Sequence, residues 1–139
     1  MLIPGHCQCG NISFVLECVE APGEIPARAC ACSFCTAHGG VWSALPSAKL
    51  RVRIKHPERV RRHTFATGTA EFHVCQQCGD VPLVTSLIDG RLFAVVNANV
   101  LQGIPPSLFK HSQADFDRES VEARLERRRR GWIADVSIA

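Results

Sequence analysis

Seven of the eight cysteines stand in three short clusters, and their spacing constrains the fold more than any other feature of the sequence. The clusters are Cys7/Cys9, Cys30/Cys32/Cys35 and Cys75/Cys78. A Cys-x-Cys pair is too close to form an unstrained disulfide, because that bond needs well-separated Cα atoms with converging Cβ vectors. Thiolates one or two residues apart can instead converge on a soft metal ion within one turn. The spacing therefore predicts a zinc protein.

The seven clustered thiols divide into a set of four and a set of three. Cys7-x-Cys9 and Cys75-x-x-Cys78 are each followed by glycine and have the form of half-sites, two of which can make a closed structural zinc site. A set of three leaves one coordination position open, as a catalytic zinc requires. Spacing alone does not decide the pairing, because Cys30/Cys32 could equally combine with Cys75/Cys78. His38 or His73 could also supply a fourth ligand and close the three-thiol site.

Length and composition predict one globular domain over residues 1–139, since 46% of the residues are hydrophobic. No apolar stretch is long enough to span a bilayer. The first residues contain neither a charged leader nor an apolar run of signal-peptide length. We therefore expect a cytoplasmic location, where a reducing environment favours metal binding over disulfides. The net charge of +3 does not by itself indicate a nucleic-acid partner.

Apolar periodicity predicts a mainly β fold with one C-terminal helix. Loose alternation over 11–19 indicates a half-buried strand, and further strands are predicted within 27–30, 41–45, 49–65 and 71–74. Asp89-Gly90, between the apolar runs 83–88 and 91–96, is a strong hairpin signal. Residues 97–112 have the composition of a loop. The helix is predicted at about 118–130, with Asp117 as its N-cap and Gly131 at its C-terminus.

The three cysteine motifs, in this order, resemble the glutathione-dependent formaldehyde-activating enzyme family, which includes centromere protein V. Gly39-Gly40, Leu83 and the segment 95–101 extend the resemblance. It implies a zinc-clipped β fold related to methionine-R-sulfoxide reductases, with two zinc ions per chain. It assigns Cys7, Cys9, Cys75 and Cys78 to a structural zinc, and Cys30, Cys32 and Cys35 to a second zinc associated with carbon–sulfur chemistry on a glutathione–formaldehyde adduct.

Two functions of different classes follow. The first is a zinc-dependent carbon–sulfur lyase in which Cys30, Cys32 and Cys35 act through the open zinc on the adduct of an aldehyde with a small thiol such as glutathione. The alternative is a non-catalytic zinc module that binds a protein or nucleic acid through the basic stretch 49–62. Few aromatic residues interleave with that stretch, which makes nucleic acid the weaker partner. A methionine-sulfoxide reductase would need a nucleophilic cysteine late in the chain, and no cysteine follows Cys78.

Overall fold

The described residues form two β-sheets, and an α-helix precedes the last strand. The structure, a computed structural model, describes residues 1–19, 21–30, 40–64, 69–114 and 119–139. The strands are β1 (Leu2–His6), β2 (Ile12–Glu17), β3 (Ile25–Cys30), β4 (Val41–Ser43), β5 (Lys49–Ile54), β6 (Val60–Thr64), β7 (Glu71–Cys75), β8 (Leu83–Ile88), β9 (Arg91–Asn97), β10 (Phe109–Ala114) and β11 (Asp135–Ile138). The α-helix α1 spans Val121–Gly131, and 3₁₀ helices lie at Pro57–Arg59, Ala98–Val100 and Pro106–Leu108. The predicted mainly β fold with a C-terminal helix is confirmed.

The first sheet has the strand order β1-β2-β5-β11. β1 and β5 flank β2 in antiparallel register, and β11 pairs with β5 in parallel. Ile12, Phe14 and Leu16 are buried while the residues between them are half-buried. This alternation is the one that the sequence predicts for a strand with one face on the core.

The second sheet has seven strands in the order β10-β3-β4-β9-β8-β7-β6. Strands β9, β8, β7 and β6 form an antiparallel meander, whereas β10 pairs with β3 in parallel. The predicted hairpin joins β8 to β9. Asp89 and Gly90 have φ angles of +51° and +78°, as a type I′ turn requires.

The main core lies between the two sheets. The first sheet contributes Ile3, Phe14 and Leu50, and the second contributes Leu83 and Val96, all at most 3% exposed. A smaller cluster covers the opposite face of the seven-stranded sheet. We call it the outer cluster; its buried members are Phe72, Val74, Val81, Val84 and Val95, and Trp42, Ala44, Ala70 and Trp132 pack against it.

The segment after α1 connects the two sheets. Ile133 exchanges two backbone hydrogen bonds with Ala94 of β9, at 2.9 and 3.0 Å, and is 0% exposed. Two residues later the chain enters β11 and pairs with β5 of the other sheet. The last residues of the chain are therefore built into both layers. Among the described residues, no helix combines the length and apolar character needed to cross a bilayer.

Three local predictions are wrong in detail. Residues 97–112 do not form a continuous loop, since β10 begins at Phe109; its exposed polar residues lie at a sheet edge and give no apolar signal. The N-cap of α1 is Ser120, whose Oγ accepts a hydrogen bond from the Ala123 N–H at 3.1 Å, whereas Asp117 lies outside the described residues. Gly131 is the last helical residue, and the Trp132 N–H closes the helix by donating to the Arg128 carbonyl at 2.9 Å.

Candidate metal centre

The first half-site is the turn between β1 and β2. The Gly10 N–H donates to the Cys7 carbonyl at 3.0 Å, and the φ angle of +80° at Gly10 lies in the region that favours glycine. The Ile12 N–H points back at the Cys7 Sγ atom, 3.4 Å away. A backbone donor directed at this sulfur stabilises its thiolate form.

The second half-site follows β7 and repeats this design. The Gly79 N–H donates to the Cys75 carbonyl at 2.7 Å, and Gly79 has a φ angle of +83°. The Cys75 N–H in turn donates to the Asp80 carbonyl at 2.9 Å, which closes the turn. Each half-site is thus a tight turn in which a glycine N–H bonds to the carbonyl of the first cysteine.

The fold brings the two half-sites together. The Sγ atoms of Cys7, Cys9, Cys75 and Cys78 all lie within 4.8 Å of one another. The Cys7–Cys9 and Cys9–Cys75 sulfur separations are 3.6 and 3.5 Å. A tetrahedral zinc with Zn–S bonds of about 2.3 Å places its sulfurs about 3.8 Å apart. The four cysteines therefore fit a single metal ion, and they are the four that the family resemblance assigns to one site.

Burial sets the electrostatics of this cluster. Cys7 and Cys75 are buried, Cys78 is half-buried and Cys9 is exposed, and all four are free thiols. Removal from water raises the pKa of the Cys7 thiol to about 12. A buried thiolate therefore needs a nearby cation, which is the role that a bound metal would fill.

Asp80 links the two half-sites, a role that the sequence did not predict. Its Oδ2 atom accepts a hydrogen bond from the Gln8 N–H at 2.7 Å, across 72 positions of the chain. Charge-assisted hydrogen bonds of this kind are among the stronger polar contacts in proteins. No local pattern could have indicated this contact, because Asp80 looks like an ordinary residue after a Cys-Gly turn.

The three-thiol set is only partly described. Cys30 is the last residue of β3, opposite Ala114 of β10. Cys32, Cys35 and His38 lie outside the described residues. The chain re-enters the described part at Gly40 and continues into β4, where the Trp42 ring meets the Phe72 ring edge-on at 5.7 Å.

The predicted candidate His73 and the eighth cysteine, Cys18, lie within packed parts of the protein. His73 is 2% exposed, and its Nε2 atom is 2.8 Å from the Thr85 hydroxyl oxygen. It is not a member of the four-cysteine group. Cys18, the cysteine outside the three clusters, is half-buried and packs against the main core.

The basic stretch 49–62 is divided between the two sheets. Arg51, on the outer face of β5, forms an ion pair with Asp135 of β11 at 3.0 Å, and this contact holds the pKa of the Asp135 carboxyl below its usual value. Arg62, on β6, lies 3.8 Å from Glu71 of β7. Both pairs are solvent-exposed, and such pairs contribute little to stability.

Comparisons with known proteins identify relatives of this arrangement. A family model described as glutathione-dependent formaldehyde-activating enzyme matches residues 2–116. The crystal structure of a protein from Rhodobacter sphaeroides, determined as a structural genomics target, is 27% identical and has a TM-score of 0.58. The alignment covers 80% of this chain and 99% of that one. The comparison with curated proteins gave no match.

Proposed function

Since the chain belongs to the glutathione-dependent formaldehyde-activating enzyme family, we propose that it is a zinc-dependent carbon–sulfur lyase. Its substrate would be the adduct of an aldehyde with a small thiol such as glutathione, as in an S-(hydroxymethyl)glutathione synthase. The observation that carries this proposal is the extent of the family match. Residues 2–116 include all seven clustered cysteines, so both cysteine sets lie within the matched segment.

We assign the two cysteine sets different roles. Cys7, Cys9, Cys75 and Cys78 would hold a structural zinc, which their mutual sulfur distances support. Cys30, Cys32 and Cys35 would hold the second ion. A zinc ion with three thiolate ligands and one open position would bind the sulfur of an incoming thiol and lower its pKa.

The reaction itself is a reversible addition. In the direction of synthesis, the thiol sulfur forms a bond to the carbonyl carbon of the aldehyde. The π electron pair of the carbonyl moves to the oxygen, and the proton lost by the thiol ends on that oxygen. In the lyase direction the carbon–sulfur bond breaks and the proton returns to sulfur. No oxidant, reductant or further reactant is needed.

A single cysteine substitution tests the proposal. We expect Cys32→Ser to lower the zinc content from two ions to one per chain, measured by mass spectrometry of the metal. The same change should abolish the enzyme-dependent interconversion of glutathione, formaldehyde and their adduct, measured by NMR exchange above the spontaneous rate. The four-thiolate site should keep its ion, so the circular dichroism spectrum should stay unchanged.

Cys18→Ser provides the matched control, because Cys18 is a thiol that lies outside all three clusters. It should leave both the zinc content and the exchange rate as they are in the wild type. Unchanged exchange in Cys32→Ser, together with loss of one zinc ion, would refute the lyase mechanism. Two ions retained in Cys32→Ser would refute the ligand assignment.

A further inference from the structure

The side chain of Asp80 joins the two half-sites of the four-cysteine cluster directly. Its Oδ2 atom accepts the Gln8 N–H at 2.7 Å, and Gln8 stands between Cys7 and Cys9 in the sequence. Apart from contacts between thiols, no other hydrogen bond among the described residues runs from one half-site to the other. This bond is therefore the polar contact that fixes the first turn against the second.

The carboxylate of Asp80 is held in place by the turn that carries it. The Asp80 carbonyl accepts the Cys75 N–H at 2.9 Å, and the Cys75 carbonyl accepts the Gly79 N–H at 2.7 Å. Asp80 is also half-buried, so water has only partial access to it. An acceptor that is fixed in this way loses little further conformational freedom when it binds the Gln8 N–H.

Each half-site is anchored separately to the connection between β5 and β6. The Asn11 side chain accepts from the His56 N–H at 2.7 Å and donates to the His56 carbonyl at 3.2 Å. On the other side, the Gln76 N–H donates to the Arg59 carbonyl at 2.8 Å. Loss of the Asp80 contact should therefore leave each turn intact and change how the two turns face each other.

Asp80 is not itself a candidate metal ligand. Among the described residues, the side chains that could hold an ion together are four cysteines, without a carboxylate. Asp80 instead bonds to the backbone between two of these cysteines. Groups that orient metal ligands from such a position typically change metal affinity 10–100-fold when they are replaced.

We propose that Asp80 is a positioning residue for the metal ion. By bonding to the Gln8 N–H, it holds the two cysteine pairs at the separation that a single ion needs, and so determines how firmly the ion is retained. A site whose ligands are already held together binds more tightly, because less ordering is left to the binding step. This inference rests on the assignment of the four cysteines to a metal site under the proposed function.

Cadmium NMR of the full chain tests the proposal. Coupling of a bound cadmium ion to the β protons of Cys7, Cys9, Cys75 and Cys78 identifies the site, and competition with EDTA measures its dissociation constant. We expect Asp80→Ala to raise that constant about 10–100-fold. Asp80→Asn should restore most of the affinity, because its amide oxygen can still accept the Gln8 N–H.

Asp135→Ala is the matched control. It removes another carboxylate that bonds across the chain, to Arg51 on β5, away from the cysteines. It should leave the dissociation constant unchanged, since a loss of stability alone does not alter the affinity of a chain that stays folded. If Asp80→Ala does not fold, Asp80→Glu takes its place: it keeps the charge but moves the acceptor by one methylene group, and should also weaken cadmium binding.

Wild-type affinity in a folded Asp80→Ala or Asp80→Glu protein would overturn the proposal. Equal losses in Asp80→Ala and Asp80→Asn would do so as well, because they would show that the charge matters and the hydrogen bond does not. If no cadmium ion couples to the four cysteines, the metal assignment itself is refuted and this inference with it. A coupled ion whose affinity does not depend on Asp80 would leave that assignment and the lyase proposal standing.

Discussion

At the scale of single residues, burial shifts the pKa of Cys7, His73 and Arg128, and each time it disfavours the charged form. The consequences differ because the neighbours differ. Cys7 has three other thiols around it and can be made anionic by a metal ion. Arg128 keeps its charge, because even a pKa of about 10 lies above neutral pH. His73 is the residue whose charge is lost.

The stability of the protein should therefore depend on pH through His73. Desolvation, followed by repulsion from Arg62, lowers its pKa from 6.5 to about 4. Between these pH values the unfolded chain binds a proton that the folded chain does not, so stability falls as the pH drops from 6.5 towards 4. The loss should be about 3 kcal/mol. Urea unfolding of the wild type and of His73→Gln across this range measures it.

Both proteins keep the same cysteines, so the effect of acid on metal binding cancels in the comparison. His56→Gln is the matched control, since it removes an exposed histidine side chain where His73→Gln removes a buried one. Parallel stability curves for the wild type and His73→Gln would contradict this account.

The residue scale also shows what the sequence could reveal about the site. The four cysteines of the candidate metal centre were identifiable because their spacing is local: each half-site is a turn of a few residues followed by glycine. Asp80 was not identifiable. Its importance comes from a partner 72 positions away, Gln8, and no local pattern carries that information.

At the scale of elements, local signals were again predictable from the sequence and pairings between distant segments were not. The β8–β9 hairpin was predictable because its turn residues, Asp89 and Gly90, determine the conformation locally. β10 and β11 pair in parallel with β3 and β5, which are distant in sequence. β10 lacks a clear apolar alternation, and β11 alternates over only four residues, which is too short a run to predict a strand. The relation to methionine-R-sulfoxide reductases stays a prediction.

The β1–β2 pair should not tolerate a side chain at position 5. Gly5 lies directly opposite Phe14, and a Cβ atom at position 5 would meet the Phe14 ring, 2.7 Å from its Cε1 atom. Phe14 is buried and cannot move aside, so Gly5→Ala should destabilise the protein by about 1–3 kcal/mol. The midpoint of urea unfolding measures this change.

Gly23→Ala is the matched control for that substitution. A Cβ atom at position 23 has no atom within 4 Å, so its midpoint should be that of the wild type. Equal midpoints for the two variants would mean that the strand pair can separate at low cost.

At the scale of the whole molecule, two features tie the sheets together besides their shared core. The four-cysteine cluster is one, since Cys7 follows β1 of the first sheet and Cys75 ends β7 of the second. The C-terminal segment is the other, since Ile133 forms backbone hydrogen bonds with β9 and β11 pairs with β5. This segment lies outside the family match, yet it is part of the core.

Shortening Ile133 should therefore affect the whole protein. Ile133 is 0% exposed, and removing most of its side chain leaves a cavity between the layers. We expect Ile133→Ala to lower the free energy of unfolding by about 2–5 kcal/mol. Ile138→Ala, at a side chain that is 36% exposed, should change it much less. A small effect of Ile133→Ala on the urea unfolding midpoint would show that the segment is dispensable.

The separation of the two half-sites has a consequence for synthesis on the ribosome. Cys9 precedes Cys75 by 66 positions. During synthesis the Cys7/Cys9 pair therefore lacks its partner pair until Cys75 and Cys78 have been translated and β7 has formed. Two thiolates bind an ion far less firmly than four. Tight uptake of an ion by the four thiols would therefore report that both layers have assembled. Before that moment, oxidants or competing ions would have access to Cys7 and Cys9.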